Sequence, residues 1–77
     1  MTSAKVMDVI TRSILNGKAN GRAEGKNGKD IRYYIKFNRE EEKWGVILRE
    51  QSRGSHPTLT KIEARDLISL MRILLLA

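Results

Sequence analysis

Two adjacent segments with strictly alternating apolar residues constrain the fold of this chain more than any other feature. In residues 30–39 the apolar side chains at every second position are Ile31, Tyr33, Ile35 and Phe37. In residues 43–51 the same period places Trp44, Val46 and Leu48 on one face. A period of two is typical of β-strands that bury one face. The polar residues 39–43 between them are suited to a turn, so the pattern predicts an antiparallel hairpin.

Residues 3–15 fit either a helix or a strand. The helical template gathers its apolar residues onto one stripe: Val6, Ile10 and Ile14. Ser3 would cap this helix, and Gly17 would end it in the left-handed conformation. The many β-branched residues favour a strand instead. A strand, however, would put Asp8 and Arg12 on the face of Ile10, so we predict a helix.

Segment 17–29 is rich in glycine and basic residues. Its four Gly-basic dipeptides are Gly17-Lys18, Gly21-Arg22, Gly25-Lys26 and Gly28-Lys29. Each glycine inside a helix costs about 1 kcal/mol relative to alanine, so we predict a flexible basic loop. Asn27-Gly28 also suits a two-residue hairpin turn, which would pair residues 21–26 weakly with 30–36.

The C-terminal part predicts a helix. After a loop over residues 52–57, Thr58 and Leu59 suit a short edge strand. The sequence Thr60-Lys61-Ile62-Glu63 matches a capping box, which predicts a helix from about 61 to 76. This helix is apolar around its end, and one small sheet cannot cover every side of it. We therefore predict a homodimer in which the C-terminal helices pack together, unless the N-terminal helix covers the stripe. The predicted interface residues are Leu67, Leu70, Met71, Leu74 and Leu75.

These elements predict a single α+β domain over residues 1–77. An N-terminal element (1–16) and the basic loop (17–29) precede a sheet-plus-helix core (30–77), with three or four antiparallel strands and a C-terminal helix. Without cysteine the chain has no disulfides, and oligomerisation is the remaining way to stabilise so small a core. No secretory signal or spanning segment is evident. We expect a protein without a membrane partner, located in the cytoplasm, or in the nucleoid or nucleus with nucleic acid.

Basic charge is concentrated in one part of the chain. Segment 17–39 has seven Lys and Arg against Glu24 and Asp30, whereas the rest has eight against seven acids. Such segregation favours a polyanionic partner. Tyr34 between Arg32 and Lys36 adds an aromatic ring on which an unpaired base can stack, so we predict single-stranded DNA or RNA as the ligand. The predicted nucleic-acid-binding residues are Lys18, Arg22, Lys26, Lys29, Arg32, Tyr34, Lys36, Lys43, Arg49 and Arg53.

Catalytic chemistry is not indicated. His56 is the only histidine and no cysteine is present, so a zinc ligand set is not complete. Segment 21–26 is one residue short of a phosphate-binding loop, and Asn27 occupies the place of the magnesium-binding Ser or Thr. The run Glu40-Glu41-Glu42 is typical of a solvated turn. We expect no catalytic residue, metal or cofactor.

Short motifs in residues 31–77 resemble a known family. They are Trp44-Gly-Val-Ile-Leu-Arg-Glu50, the basic turn at Arg53-Gly54, and Thr58-Leu59-Thr60 leading into Ala64-Arg-Asp-Leu67. In this order they resemble the single-stranded-DNA-binding core of the transcriptional coactivator family called positive cofactor four. The resemblance implies curved antiparallel strands, a C-terminal helix that pairs in a dimer, and binding of single-stranded DNA. His56-Pro57 and the lack of a Trp near the helix start depart from the family pattern.

The sequence therefore predicts a non-enzymatic homodimer that holds single-stranded DNA or RNA on a basic, aromatic sheet face and acts in replication, recombination or transcription. One alternative is a small phage-type inhibitor or adaptor whose basic face binds an acidic protein. Another is a dimeric duplex binder that uses a two-stranded ribbon.

Overall fold

The computed structural model describes residues 1–77, which form one four-stranded antiparallel sheet and two helices. The elements are α1 (Ser3–Asn16), β1 (Lys18–Glu24), β2 (Asp30–Asn38), β3 (Lys43–Gln51), β4 (Thr58–Ala64) and α2 (Leu67–Leu76). The strands are neighbours in chain order, and a single 3-10 turn lies between β1 and β2. The predicted α+β fold is confirmed: in chain order, an N-terminal helix precedes the antiparallel sheet and a C-terminal helix follows it.

Both helices pack on one side of the sheet, which we call the inner face. The predicted alternation is confirmed, because the inner-face residues of β2 and β3 are buried while their neighbours in sequence point away. Phe37 is half-buried, with its ring centroid 4.8 Å from that of Trp44. The buried apolar residues of these four elements are Val6, Val9, Ile10, Ile31, Tyr33, Ile35, Trp44, Val46, Leu48, Leu70 and Leu74. Burial of this apolar surface is what holds the two layers together.

The predicted helix over residues 3–15 is confirmed as α1, although its cap is Thr2 and not Ser3. The Thr2 hydroxyl accepts a hydrogen bond from the Lys5 amide at 3.2 Å, and Gly17 ends the helix with φ of 78°. Ser13 is fully buried, and its hydroxyl accepts a hydrogen bond from the indole N–H of Trp44 at 3.2 Å. This bond anchors α1 to the sheet without leaving a buried polar group unpaired.

The predicted loop over 17–29 is wrong for most of its length. β1 pairs with β2 from Lys18 opposite Lys36 to Glu24 opposite Asp30. The hairpin alternative was closer, since Asn27 and Gly28 have φ of 59° and 74°, but the strand begins three residues earlier than predicted. Glycine disfavours a helix, yet the ladder to β2 pairs the backbone groups on one side of β1, and the groups on its other side lie at the open edge of the sheet. A Cβ atom at Gly21 would lie 2.7 Å from the Tyr33 hydroxyl, so the missing side chain makes room for the core.

The predicted helix start at 61 is also wrong. Residues 58–64 form β4, which pairs along β3 from Thr58 opposite Glu50 to Ala64 opposite Trp44. The β-branched side chains at 58, 60 and 62 suit a strand, and the backbone ladder outweighs a local capping box. The cap of α2 is Asp66, whose carboxylate accepts a hydrogen bond from the Ser69 amide at 2.7 Å. That hydrogen bond lowers the pKa of Asp66.

The residues predicted for a helix-to-helix dimer divide into two groups. Leu70 and Leu74 are fully buried in the core of a single chain, so their assignment to an intermolecular interface is corrected. They point at the sheet because α1 packs beside α2 and the two helices share the inner face. Leu67 and Leu75 remain exposed, and Met71 is half-buried. Neither helix has the length and apolar character needed to cross a lipid bilayer.

Candidate nucleic-acid interface

The opposite side of the sheet, which we call the outer face, carries no helix. The strand register aligns its side chains in three cross-strand rows. The arginine row is Arg22, Arg32, Arg49 and Leu59; the middle row is Asn20, Tyr34, Ile47 and Lys61; the lysine row is Lys18, Lys36, Gly45 and Glu63. Neighbours within a row are on strands about 4.8 Å apart, and successive rows are about 7 Å apart along a strand.

The arginine row concentrates positive charge that the chain only partly neutralises. Arg22 approaches the Asp30 carboxylate at 3.5 Å, but Arg32 and Arg49 have no salt bridge to any carboxylate. The Nε atom of Arg32 is buried and has no hydrogen-bond partner. Like charges directly opposite each other destabilise a sheet. An anion placed on this row would relieve the repulsion and accept hydrogen bonds from the guanidinium groups.

The middle row places an aromatic ring beside the arginine row. The Tyr34 side chain is 47% exposed and lies opposite Asn20 on one strand and Ile47 on the other. An exposed ring on an open sheet offers a stacking surface for an unpaired base. Ile47 is an apolar residue among the polar outer-face residues of β3. It lies opposite Tyr34, so the two side chains form one small apolar surface.

The predicted basic residues do not all reach this surface. Lys18, Lys36 and the three arginines lie on the outer face with Tyr34. Lys26, Lys29 and Arg53 lie in the two connections at the end of the sheet nearest the arginine row, where Lys29 approaches Glu50 at 3.5 Å.

Lys43 lies at the other end of the sheet and is tied to acidic residues. Its amine approaches carboxylate oxygens of Glu41 at 3.2 Å and Glu63 at 3.4 Å. The hydrogen bond to Glu41 is the main cause of its raised pKa. The charge of Lys43 is therefore locally neutralised, and the outer face is most basic at the opposite end.

Lys61 is a basic outer-face residue that the sequence analysis missed. It was assigned to a helix, whereas β4 places it in the middle row opposite Ile47. The alternation of Thr58, Thr60 and Ile62 with Leu59, Lys61 and Glu63 was the signal that could have found it.

No group of three or more His, Cys, Asp or Glu side chains is placed to hold a metal ion. Comparisons of this chain with protein-family models, curated proteins and solved structures give no match.

Proposed function

We propose that this protein binds single-stranded DNA or RNA on the outer face of its sheet, without catalysing a reaction. The observation that carries the proposal is the arginine row next to the exposed ring of Tyr34. Guanidinium groups bind backbone phosphates, and the aromatic ring stacks on a base that is free of its partner. A nucleic acid strand offers both phosphates and bases. The arginine row that would bind the phosphates lies next to the middle row, where Tyr34 would stack on a base.

The width of the surface favours a single strand over a duplex. The major groove of DNA admits an α-helix or a two-stranded ribbon. Here the arginine row crosses β1, β2 and β3, and Tyr34 lies on β2 in the same four-stranded sheet. A four-stranded face is too broad to enter a groove, whereas it is a common platform for unstacked bases.

Fluorescence anisotropy with labelled oligo-dT, oligo-U and a duplex of equal length tests this function. We expect both single strands, or one of them, to bind more tightly than the duplex. The three phosphates contacted by the arginine row alone should make log K fall with log salt at a slope of about −2 between 50 and 300 mM, and further phosphate contacts would make the slope steeper. Equal affinity for the duplex, or affinity that does not change with salt, would contradict the proposal.

The same basic surface also suits an acidic protein, and this alternative has its own test. Tagged protein is incubated with a nuclease-treated lysate and then recovered. A stoichiometric protein partner, together with no binding to the oligonucleotides, would favour the adaptor function over the one proposed.

We propose further that the protein forms a homodimer through its helices. Seven large apolar side chains remain exposed on α1 and α2: Met7, Ile14, Leu15, Leu67, Ile68, Leu75 and Leu76. Contiguous apolar surface on a soluble domain usually marks an interaction site. Since this helix surface and the outer face lie on opposite sides of the molecule, pairing of two copies through the helices leaves both outer faces accessible.

The double variant Ile68→Glu/Leu76→Glu is expected to be monomeric. The two side chains are 64% and 66% exposed in the single chain, so the fold should tolerate the charges while a dimer interface would not. Sedimentation velocity of wild type and variant measures the change. The matched control, Ser52→Glu/Ser55→Glu, adds the same charge in the β3–β4 connection and should leave the dimer intact. A wild type that sediments as a monomer would refute the proposed dimer.

A further inference from the structure

The outer face has a gap at Gly45, on the inner strand β3 and towards the end of the sheet where Lys43 lies. Gly45 lies in the lysine row between Lys36 on β2 and Glu63 on β4. Its missing side chain contributes to an open concavity of about 550 Å³ that spans the lysine row and the middle row of the outer face. This volume lies within the range of about 300–1,000 Å³ that is usual for small-molecule sites.

The surroundings of this gap combine apolar and cationic groups. Tyr34 and Ile47, which face each other across β2 and β3, line it on the side of the middle row. The amine-bearing side chains at its rim are Lys18, Lys36 and Lys61. Glu63 is the acid at the rim, and Lys43 approaches its carboxylate at 3.4 Å. A simple anion would contact only the lysine amines. A nucleobase with its flanking phosphates would contact both the apolar side chains and the amines.

The fold itself does not require a glycine at position 45. A Cβ atom built there would have no atom within 4 Å, and the residue is not among those with positive φ. Gly21 is different, because a Cβ atom there would collide with Tyr33. Glycine in a strand interior costs roughly 0.5–1 kcal/mol relative to alanine, and it often marks a place where a ligand approaches the backbone closely.

We propose that the concavity over Gly45 is a nucleobase pocket. One unpaired base of the bound strand lies over the Gly45 backbone and stacks on Tyr34, with Ile47 beside it. The phosphates on either side of this base contact Lys36 and Lys18 on one flank and Lys61 on the other. This inference rests on the proposed function, and it adds a requirement for bases at a defined place on the sheet.

The variant Gly45→Leu tests the pocket, because a Cβ atom at this position has no atom within 4 Å and the leucine side chain would project into the concavity. The probes are labelled oligo-dT and an abasic oligodeoxynucleotide of the same length, which has the phosphates but no bases. Wild type should prefer oligo-dT by roughly 5- to 150-fold, the range expected for stacking of one base. In Gly45→Leu this preference should fall to about one, and Tyr34→Ala should have the same effect.

Two controls separate the possible failures. Ala4→Leu adds the same side chain to exposed α1, on the other side of the molecule, and should keep the preference for oligo-dT. The midpoint temperature of thermal unfolding should be the same for Gly45→Leu as for the wild type, or higher. Wild type that binds both probes equally, or Gly45→Leu that retains the preference, would refute the pocket while leaving phosphate binding in place. If wild type binds neither probe, the proposed function fails and the pocket with it.

Discussion

Replacing Arg32 and Arg49 together with alanine should weaken binding to oligo-dT by roughly a hundredfold or more at moderate salt, since two charge-assisted hydrogen bonds of about 1.5–3 kcal/mol each are lost. These two guanidinium groups are adjacent on β2 and β3 and have no carboxylate partner in the chain. The variant should also lower the slope of log K against log salt by about 1.4, because two phosphate contacts to a single strand are lost. Anisotropy titrations between 50 and 300 mM salt measure both quantities.

The matched control is Arg12→Ala/Arg65→Ala, which removes the same charge from outside the arginine row. Arg12 is paired with Asp8 at 2.6 Å and Arg65 with Glu63 at 3.6 Å, so neither is a free cation of the outer face. Only a small loss of affinity is expected for this control. Equal losses in the two double variants would mean that net charge, and not the arginine row, determines binding.

The double variant Arg32→Ala/Arg49→Ala should have the same unfolding free energy as the wild type, or a slightly higher one, in the absence of ligand. Three arginines directly opposite one another repel, and removal of two of them relieves that repulsion. A functional surface often carries such a cost in stability. Thermal unfolding in the absence of nucleic acid measures it, and a marked loss of stability would instead assign the two arginines a structural role.

Replacing Leu74 with alanine should destabilise the protein by about 2–5 kcal/mol, the usual cost of emptying a fully buried leucine site. Leu74 has 0% exposure and lies in the core between α2 and the rest of the chain. A domain of 77 residues has a total stability of roughly 4–12 kcal/mol, so this one change removes a large part of it. Urea unfolding followed by circular dichroism provides the measurement.

Leu76→Ala is the matched control on the same helix. Leu76 is 66% exposed in the single chain, so its truncation should change the unfolding free energy by less than about 0.5 kcal/mol at low protein concentration. Comparable losses in the two variants would contradict the assignment of Leu74, and not Leu76, to the core. A loss in Leu76→Ala that grows with protein concentration would indicate that self-association buries this residue.

The inward and outward side chains of β2 and β3 could be predicted from the sequence, because they depend only on neighbouring residues within each strand. Alternation of apolar and polar residues determines which side chains are buried, regardless of which strand lies beside them. For the same reason the alternation alone assigns Arg32, Tyr34 and Lys36 to one open face, whichever strands lie beside β2. The helix α1 was also predictable, since the strand template would have buried Asp8 and Arg12.

The two edge strands were mispredicted because their stability comes from pairing with a neighbour. Local propensity made residues 17–29 a loop and residues 61–76 a helix, yet the ladders to β2 and β3 supply backbone hydrogen bonds that outweigh these preferences. The capping-box pattern at Thr60–Glu63 is a short local signal. It competes with seven paired positions between β3 and β4, whose partners are 8 to 20 residues apart in sequence.

The fold class, the two faces of the central strands and the segregation of basic charge follow directly from the amino-acid sequence, because each depends on residue types at short range. The row of Arg22, Arg32 and Arg49, the place of Lys61 on the outer face and the gap at Gly45 between Lys36 and Glu63 arise only in the folded sheet. Cross-strand neighbours depend on register, and register is set by the packing of all four strands against the helices. The candidate site is a product of that register, so it could not be read from any single segment of the chain.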